Sequence, residues 1–126
     1  TPAWPTPRRR CSGTWVPNTR DLARHLLLMV DQIRSIDPDP VIVVCAAGRA
    51  GLYTASLAMM LGLHVRVGTE DTIWRHPNSD ELIHSNLEMF EMTKQLAELH
   101  GRKPATADEW RGLLDMPTPA LAQSVR

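Results

Sequence analysis

Only two cysteines, Cys11 and Cys45, occur in the 126 residues. Neither belongs to a Cys-x-x-Cys pair or to a Cys/His cluster, which excludes a disulfide framework and a zinc finger and makes reduced, cytoplasmic thiols the default reading. Excess charge of either sign is also lacking. Fourteen basic and fourteen acidic residues give a formal net charge of zero, so no nucleic-acid or anionic-membrane partner is indicated. There is no apolar run of about 18 residues and no charged-then-apolar leader, so neither a membrane span nor a signal peptide is read. His25, His64, His76, His84 and His100 include no His-x-His pair, and no two share a helix face at i, i+3 or i, i+4. The histidines alone therefore assemble no metal shell. Strands are scarce as well: only Val41 to Ala46 and His64 to Val67 carry convincing β character.

What is present sorts into an arm, an α/β body and a tail. Residues 1–17 hold Pro2, Pro5, Pro7 and Pro17 with Arg8, Arg9 and Arg10, a composition that resists regular structure. The triplet reads as a solvated arm, with binding of coenzyme A phosphates as the alternative. Asn18 is a candidate cap for a helix whose stripe is Leu22, Leu26, Met29, Val30 and Ile33, and Asp37-Pro38-Asp39-Pro40 ends it. The run Val41 to Ala46 is apolar on both faces, as a parallel strand covered on both sides requires. A helix from Leu52 to Leu61, capped by Gly62, then returns to a second parallel strand, His64 to Val67, in a βαβ unit. Ser85 with Glu88 and Thr106 with Glu109 are capping-box signatures for two further helices. Leu87, Met89, Phe90, Met92, Leu96 and Leu99 predict a broad apolar face on the first of them. Residues 117–126 read as a flexible tail.

The chemistry gathers at the end of the second strand. Val65 and Val67 suit a strand interior, and Gly68 lets the chain turn out of the sheet. Arg66, Glu70 and Asp71 then fall where α/β sheets and barrels place their ligands. A carboxylate there suits a hard or borderline metal, and a second one beside an arginine has a lowered pKa and can orient or take a proton. The competing reading is a surface ion pair that does nothing chemical. Trp74 to Asn78 follows as an irregular loop of the kind that lies over a site and carries specificity.

The run Gly62-Leu-His-Val-Arg-Val-Gly-Thr-Glu-Asp-Thr-Ile-Trp74 resembles the signature of the β-keto acid cleavage enzymes, whose eponymous member acts on 3-keto-5-aminohexanoate. Upstream, Val41-Ile-Val-Val-Cys-Ala-Ala-Gly-Arg-Ala50 is similar to the family's preceding strand and its Gly-Arg turn. Downstream, Ser85 to Glu88, Gly101 to Thr106, Glu109, Leu113 and Leu114 are similar to its closing helices. The resemblance implies an α/β fold forming the last two βα units and closing helix of a (β/α)8 TIM barrel. A whole barrel takes roughly 250 residues, so a chain of 126 starting at Thr1 is expected to be the C-terminal part of a longer protein. It further implies a zinc ion bound by Glu70 together with two histidines upstream of Thr1, and Arg66 and Asp71 as catalytic residues. The substrates would be a small-molecule β-keto acid and acetyl-CoA, giving acetoacetate and an acyl-CoA, with Gly48, Arg49 and Trp74 at the substrate. A homo-oligomer, a tetramer in the family, is the implied assembly. One departure concerns Thr72, where many members carry asparagine, and this leaves the substrate subclass open.

Two other readings stand beside this one. Cys45 in Val-Val-Cys-Ala-Ala-Gly-Arg resembles the cysteine loop of a rhodanese or thiol phosphatase, although Arg49 follows four positions later where those loops need five or six. A non-catalytic remnant or interaction module is the third, and its uncovered apolar faces would self-associate.

Overall fold

The computed structural model describes residues 19–117; the Pro- and Arg-rich segment 1–17, the candidate cap Asn18 and the tail from 118 onward lie outside the described residues. The elements are α1 (Thr19–Ile36), β1 (Val43–Val44), a 3-10 turn (Gly48–Ala50), α2 (Gly51–Met60), β2 (His64–Val65), α3 (Asn86–Leu99) and α4 (Ala107–Leu113). The fold is α/β, with two strands and four α-helices among the described residues. Two strands do not close a barrel.

The strands are parallel, with Val43 opposite His64 and Val44 opposite Val65. Backbone bonds from His64 N to the Ile42 carbonyl and from Arg66 N to the Val44 carbonyl, both 3.0 Å, carry the pairing past the strand ends. The β1–α2–β2 unit is thus the one expected, and among the described residues β1 is well covered on one face only. Val44 is buried while Val43 is 45% exposed. α1 and α2 cover one face, and no described element covers the other as fully.

The core is Leu26 and Val30 of α1, Val44, Ala58 and Leu63, with Ile42, Leu57, Leu61 and Val65 packed around it. Met29 and Ile33, read as part of the α1 stripe, are exposed instead. One α2 surface and one small sheet bury only the middle of that stripe. Similarly, α3 buries Met89 and Ala97 but leaves Leu87, Phe90 and Leu99 in solvent, so its broad apolar face is only partly used.

Helix ends follow the sequence closely. Gly62 has φ +75° and Gly101 φ +69°. After α2, Leu63 N bonds the Ala58 carbonyl and Gly62 N bonds that of Met59; after α3, Arg102 N and Gly101 N do the same to Ala97 and Glu98. Both are glycine-dependent Schellman closures. α4 carries the full Thr106/Glu109 capping box. At α3, Ser85 Oγ accepts from Glu88 N, but the Glu88 carboxylate accepts from His84 N and not from Ser85 N. Half of the expected box forms there, and the other half reaches one residue further back. Glu88 is also paired with Arg75, which draws its carboxylate away from the cap.

Candidate functional site

The parallel register decides which side chains meet. Cys45 leaves β1 one step beyond the Val44/Val65 pair, and Arg66 leaves β2 at the same level. Past Arg66 the chain turns at the buried Gly68, whose carbonyl accepts from Asp71 N at 3.0 Å and Thr72 N at 3.3 Å. This tight turn brings Asp71 back over the strand end. Arg66 Nη2 donates to both Asp71 carboxylate oxygens at 2.8 Å. Glu70 Oε1 lies 3.7 Å from the same nitrogen, and its carboxylate folds over Gly68 so closely that a Cβ there would collide with it. A side chain at that position would therefore displace the Glu70 carboxylate from its place beside Arg66, and no unusual φ is involved.

The three charged groups differ in exposure. The Asp71 side chain is 17% exposed, whereas those of Arg66 and Glu70 are 58% and 61% exposed. Hydrogen bonding from Arg66, and after it from the Cys45 thiol, holds the Asp71 carboxyl below the usual aspartate range. The Arg66 guanidinium is raised in turn, chiefly by Asp71. The Cys45 thiol is pushed up, first by desolvation of the sulfur and then by the neighbouring Asp71 carboxylate, although the residue as a whole is exposed. A thiol raised in this way is the opposite of the lowered thiolate that a rhodanese or phosphatase loop requires.

The β1–α2 turn holds the same segment from behind. Gly48, at φ +71°, donates its N–H to the Asp71 carbonyl at 2.9 Å. The Thr72 methyl lies 3.1 Å from where a Cβ on Gly51 would stand, and Thr72 Oγ1 accepts from Trp74 N at 3.2 Å. Arg49 lies 3.7 Å above the Trp74 ring and donates to the Ser79 carbonyl and the Asp80 carboxylate. Its side chain is only 9% exposed.

Residues 73–83 double back as a flap. Trp74 bridges Leu82, Ile83 N bonds the Ile73 carbonyl at 2.8 Å, and Arg75 N bonds that of Glu81 at 2.9 Å. The loop expected after the carboxylates is therefore there, with a short antiparallel pairing that the sequence did not announce.

Arg66 lines two cavities. One, of about 30 Å³, lies among Arg66, Asp71, Thr72, Trp74, Met89 and Met92. The other, of about 500 Å³, opens between β2 and α3 and is bounded by His64, Arg66, Phe90, Lys94 and Trp110 among others. His64 meets Trp110 edge to face at 5.1 Å between centroids, in keeping with its reading as a structural histidine. His76 is exposed in the flap. Among the described residues no three His, Cys, Asp or Glu side chains converge to hold a metal.

Arg66, Glu70 and Asp71 thus come together as expected, and Gly48 joins them through its backbone. Arg49 and Trp74 stand behind this group as a stacked pair. Sequence reasoning missed the placing of Cys45 beside Asp71; the legible signal was the strand register, which puts Cys45 and Arg66 level.

A family model described as beta-keto acid cleavage enzyme matches residues 11–116. The chain belongs to the β-keto acid cleavage enzyme family. It is 37% identical over 94 residues to a 3-keto-5-aminohexanoate cleavage enzyme from Fusobacterium nucleatum, a match covering 75% of this chain and 33% of that protein. To the protein of the same name from Acetoanaerobium sticklandii it is 36% identical over 86 residues, 68% of this chain and 31% of that one. A 3-oxoadipate:acetyl-CoA acetyltransferase from Cupriavidus necator is 30% identical over 104 residues, 82% of this chain and 36% of that protein. The chain spans about a third of the length of these curated relatives. No helix among the described residues is long and apolar enough to cross a membrane.

Proposed function

We propose that this chain forms the C-terminal βα units of a (β/α)8 barrel enzyme that converts a β-keto acid and acetyl-CoA into acetoacetate and an acyl-CoA. The observation that carries the reading is the fork from Arg66 Nη2 to both oxygens of Asp71 at the C-terminal rim of a parallel strand pair. Family membership and the substrates in the relatives' names support it. The share of those relatives that the chain covers fits its being part of a larger catalytic unit, inactive alone.

In this reading Asp71 takes a proton from the carbon between the keto group and the carboxylate of the substrate. Its lowered pKa keeps it ionised and ready to accept, at the cost of base strength. Arg66 offsets that cost by fixing the carboxylate's direction and by facing the substrate's anionic end, since more than half of its side chain is open. The carbanion attacks the acetyl-CoA carbonyl and the coenzyme A thiolate leaves. That thiolate then attacks the substrate's keto carbon, releasing acetoacetate, whose carbanion recovers the proton. Trp74 walls the smaller cavity, and the Gly48 amide holds Asp71 in register.

The zinc ion that the resemblance implies does not fit the described residues alone. Glu70 supplies one exposed carboxylate, whereas a catalytic zinc needs three protein ligands. Glu70 is accordingly proposed as a single donor to a site completed elsewhere, and no step is drawn through it. A cytoplasmic homo-oligomer belongs to the same proposal.

The test joins this chain to the preceding two thirds of the Fusobacterium relative and follows acetoacetate formation from acetyl-CoA and a panel of β-keto acids. Activity in the chimera and none in the isolated chain is expected. A folded chimera that forms no acetoacetate from any of them overturns the reading.

A further inference from the structure

Arg49 does more than the family signature assigns to it, and its surroundings differ from those of a ligand-binding arginine. Its side chain is more than nine-tenths buried. Both terminal nitrogens are engaged within the protein, on the Ser79 carbonyl and the Asp80 carboxylate. Its planar face rests on Trp74. The remaining nitrogen, Nε, is buried without a hydrogen-bond partner, so little of the guanidinium is left open to an incoming anion. A buried guanidinium used in this way is costly unless its contacts are needed.

Every one of those contacts falls on the flap, residues 73–83. The turn that carries Arg49 also grips the segment leading into the flap: Gly48 N bonds the Asp71 carbonyl, and Gly51 leaves room for Thr72. Further along α2, the Tyr53 hydroxyl accepts from the Asn78 side chain at 2.8 Å. Asp71 is therefore tethered on its carboxylate side by Arg66 and on its backbone side by the turn that Arg49 anchors.

We propose that Arg49 is a positioning residue that clamps the 73–83 flap onto the β1–α2 turn and thereby fixes Asp71, and that it does not bind substrate. The role in catalysis rests on the proposed function; the clamp itself does not. Its geometry makes a directional statement. Loss of the clamp frees the flap first, then the Asp71 backbone, and leaves the Leu26/Val30/Val44 core intact, because none of the clamp's atoms lie in that core.

The test on the full chain is limited trypsin digestion of Arg49→Met, read at the Arg75–His76 bond within the flap and at Lys94 within α3, together with amide exchange at Gly48. Arg75 cleavage and Gly48 exchange are expected to rise tenfold or more, with Lys94 cleavage unchanged and Arg49→Lys intermediate. If Arg49→Met speeds Lys94 cleavage too, the decision passes to Asp80→Ser, at a side chain 90% exposed, which removes one hand of the clamp without touching the core. It is expected to speed Arg75 cleavage severalfold; unchanged Arg75 cleavage in that variant overturns the clamp. In the chimera, Arg49→Met should lower kcat about tenfold with KM little changed, and Arg49→Lys should restore part of it; a raised KM with unchanged kcat instead assigns Arg49 to substrate binding and overturns the proposal. A chimera that is inactive with Arg49 in place sinks the enzymatic reading, while digestion and exchange still decide the clamp.

Discussion

Two arginines flank this site, and they are held in opposite ways. Arg66 is 58% exposed and its ion pair with Asp71 is open to solvent; Arg49 is 9% exposed, stacked on an indole and bonded to a backbone carbonyl. An exposed pair adds little to stability because water screens it and two long side chains must be ordered to make it. A desolvated guanidinium with a stacked ring and a charge-assisted bond adds more. Under the proposed function the same residue type serves chemistry at one rim of the site and architecture at the other, and the two are told apart by exposure.

The largest effect that sharpens this contrast is on turnover. Asp71→Asn in the chimera should lower acetoacetate formation by about 10²–10⁴-fold, the usual range for a lost acid–base group, with the thermal midpoint of the chain almost unmoved. A comparable rate in the variant would reduce the Arg66/Asp71 fork to a surface pair.

On stability the order reverses. Arg49→Ala should cost about 1–3 kcal/mol from the lost ring contact and charge-assisted bond, measured by urea denaturation, whereas Arg66→Ala should leave the urea midpoint where it was. Equal losses in the two variants would erase the distinction between them.

Cys45 probes the Arg66 side more gently. Its raised pKa predicts slow alkylation by iodoacetamide at neutral pH, accelerating only as pH rises past the ordinary thiol range. Asp71→Asn removes one of the two causes of that rise and should speed the reaction severalfold, with Cys11 replaced by serine so that one thiol is read. Rapid modification at pH 7 would restore the reactive-thiol reading.

The smallest effect lies away from both arginines. Glu109 is held below its ordinary value of 4.5, first by the Thr106 backbone N–H and then by the Thr106 hydroxyl. A depressed folded-state pKa gives stability that is complete above the unfolded value and lost as pH falls through the folded one. The fluorescence of Trp110, on α4, should therefore change on acidification from about pH 4.5 downward; Thr106→Ala, which removes the hydroxyl and keeps the backbone N–H, should reduce that change, and Glu109→Gln should abolish it.

Much of this was legible in the letters because it is local. Gly62 and Gly101 close their helices where a glycine past an apolar run says they should, and Thr106-x-x-Glu109 makes its box without help from the rest of the fold. The Arg66/Asp71 pair was also legible, since a glycine turn five residues long leaves the two side chains few other directions. The misread positions are those whose fate depends on a neighbour. Met29 and Ile33 carry the right period but stay exposed, and the Glu88 carboxylate turns to His84 N and to Arg75, outside its own helix, instead of to Ser85 N.

The βαβ unit, the helix ends and the carboxylate turn at the second strand can be read from the letters alone, because period, glycine and capping chemistry act over a few residues. The folded chain had to be seen to learn that Cys45 stands beside Asp71, that one face of β1 is less covered among the described residues, and that Arg49 turns inward to Trp74 and the Ser79 carbonyl. Those outcomes depend on strand register and on contacts 25 to 30 positions apart, and desolvation at such contacts is set by the assembled fold and not by any window of neighbours.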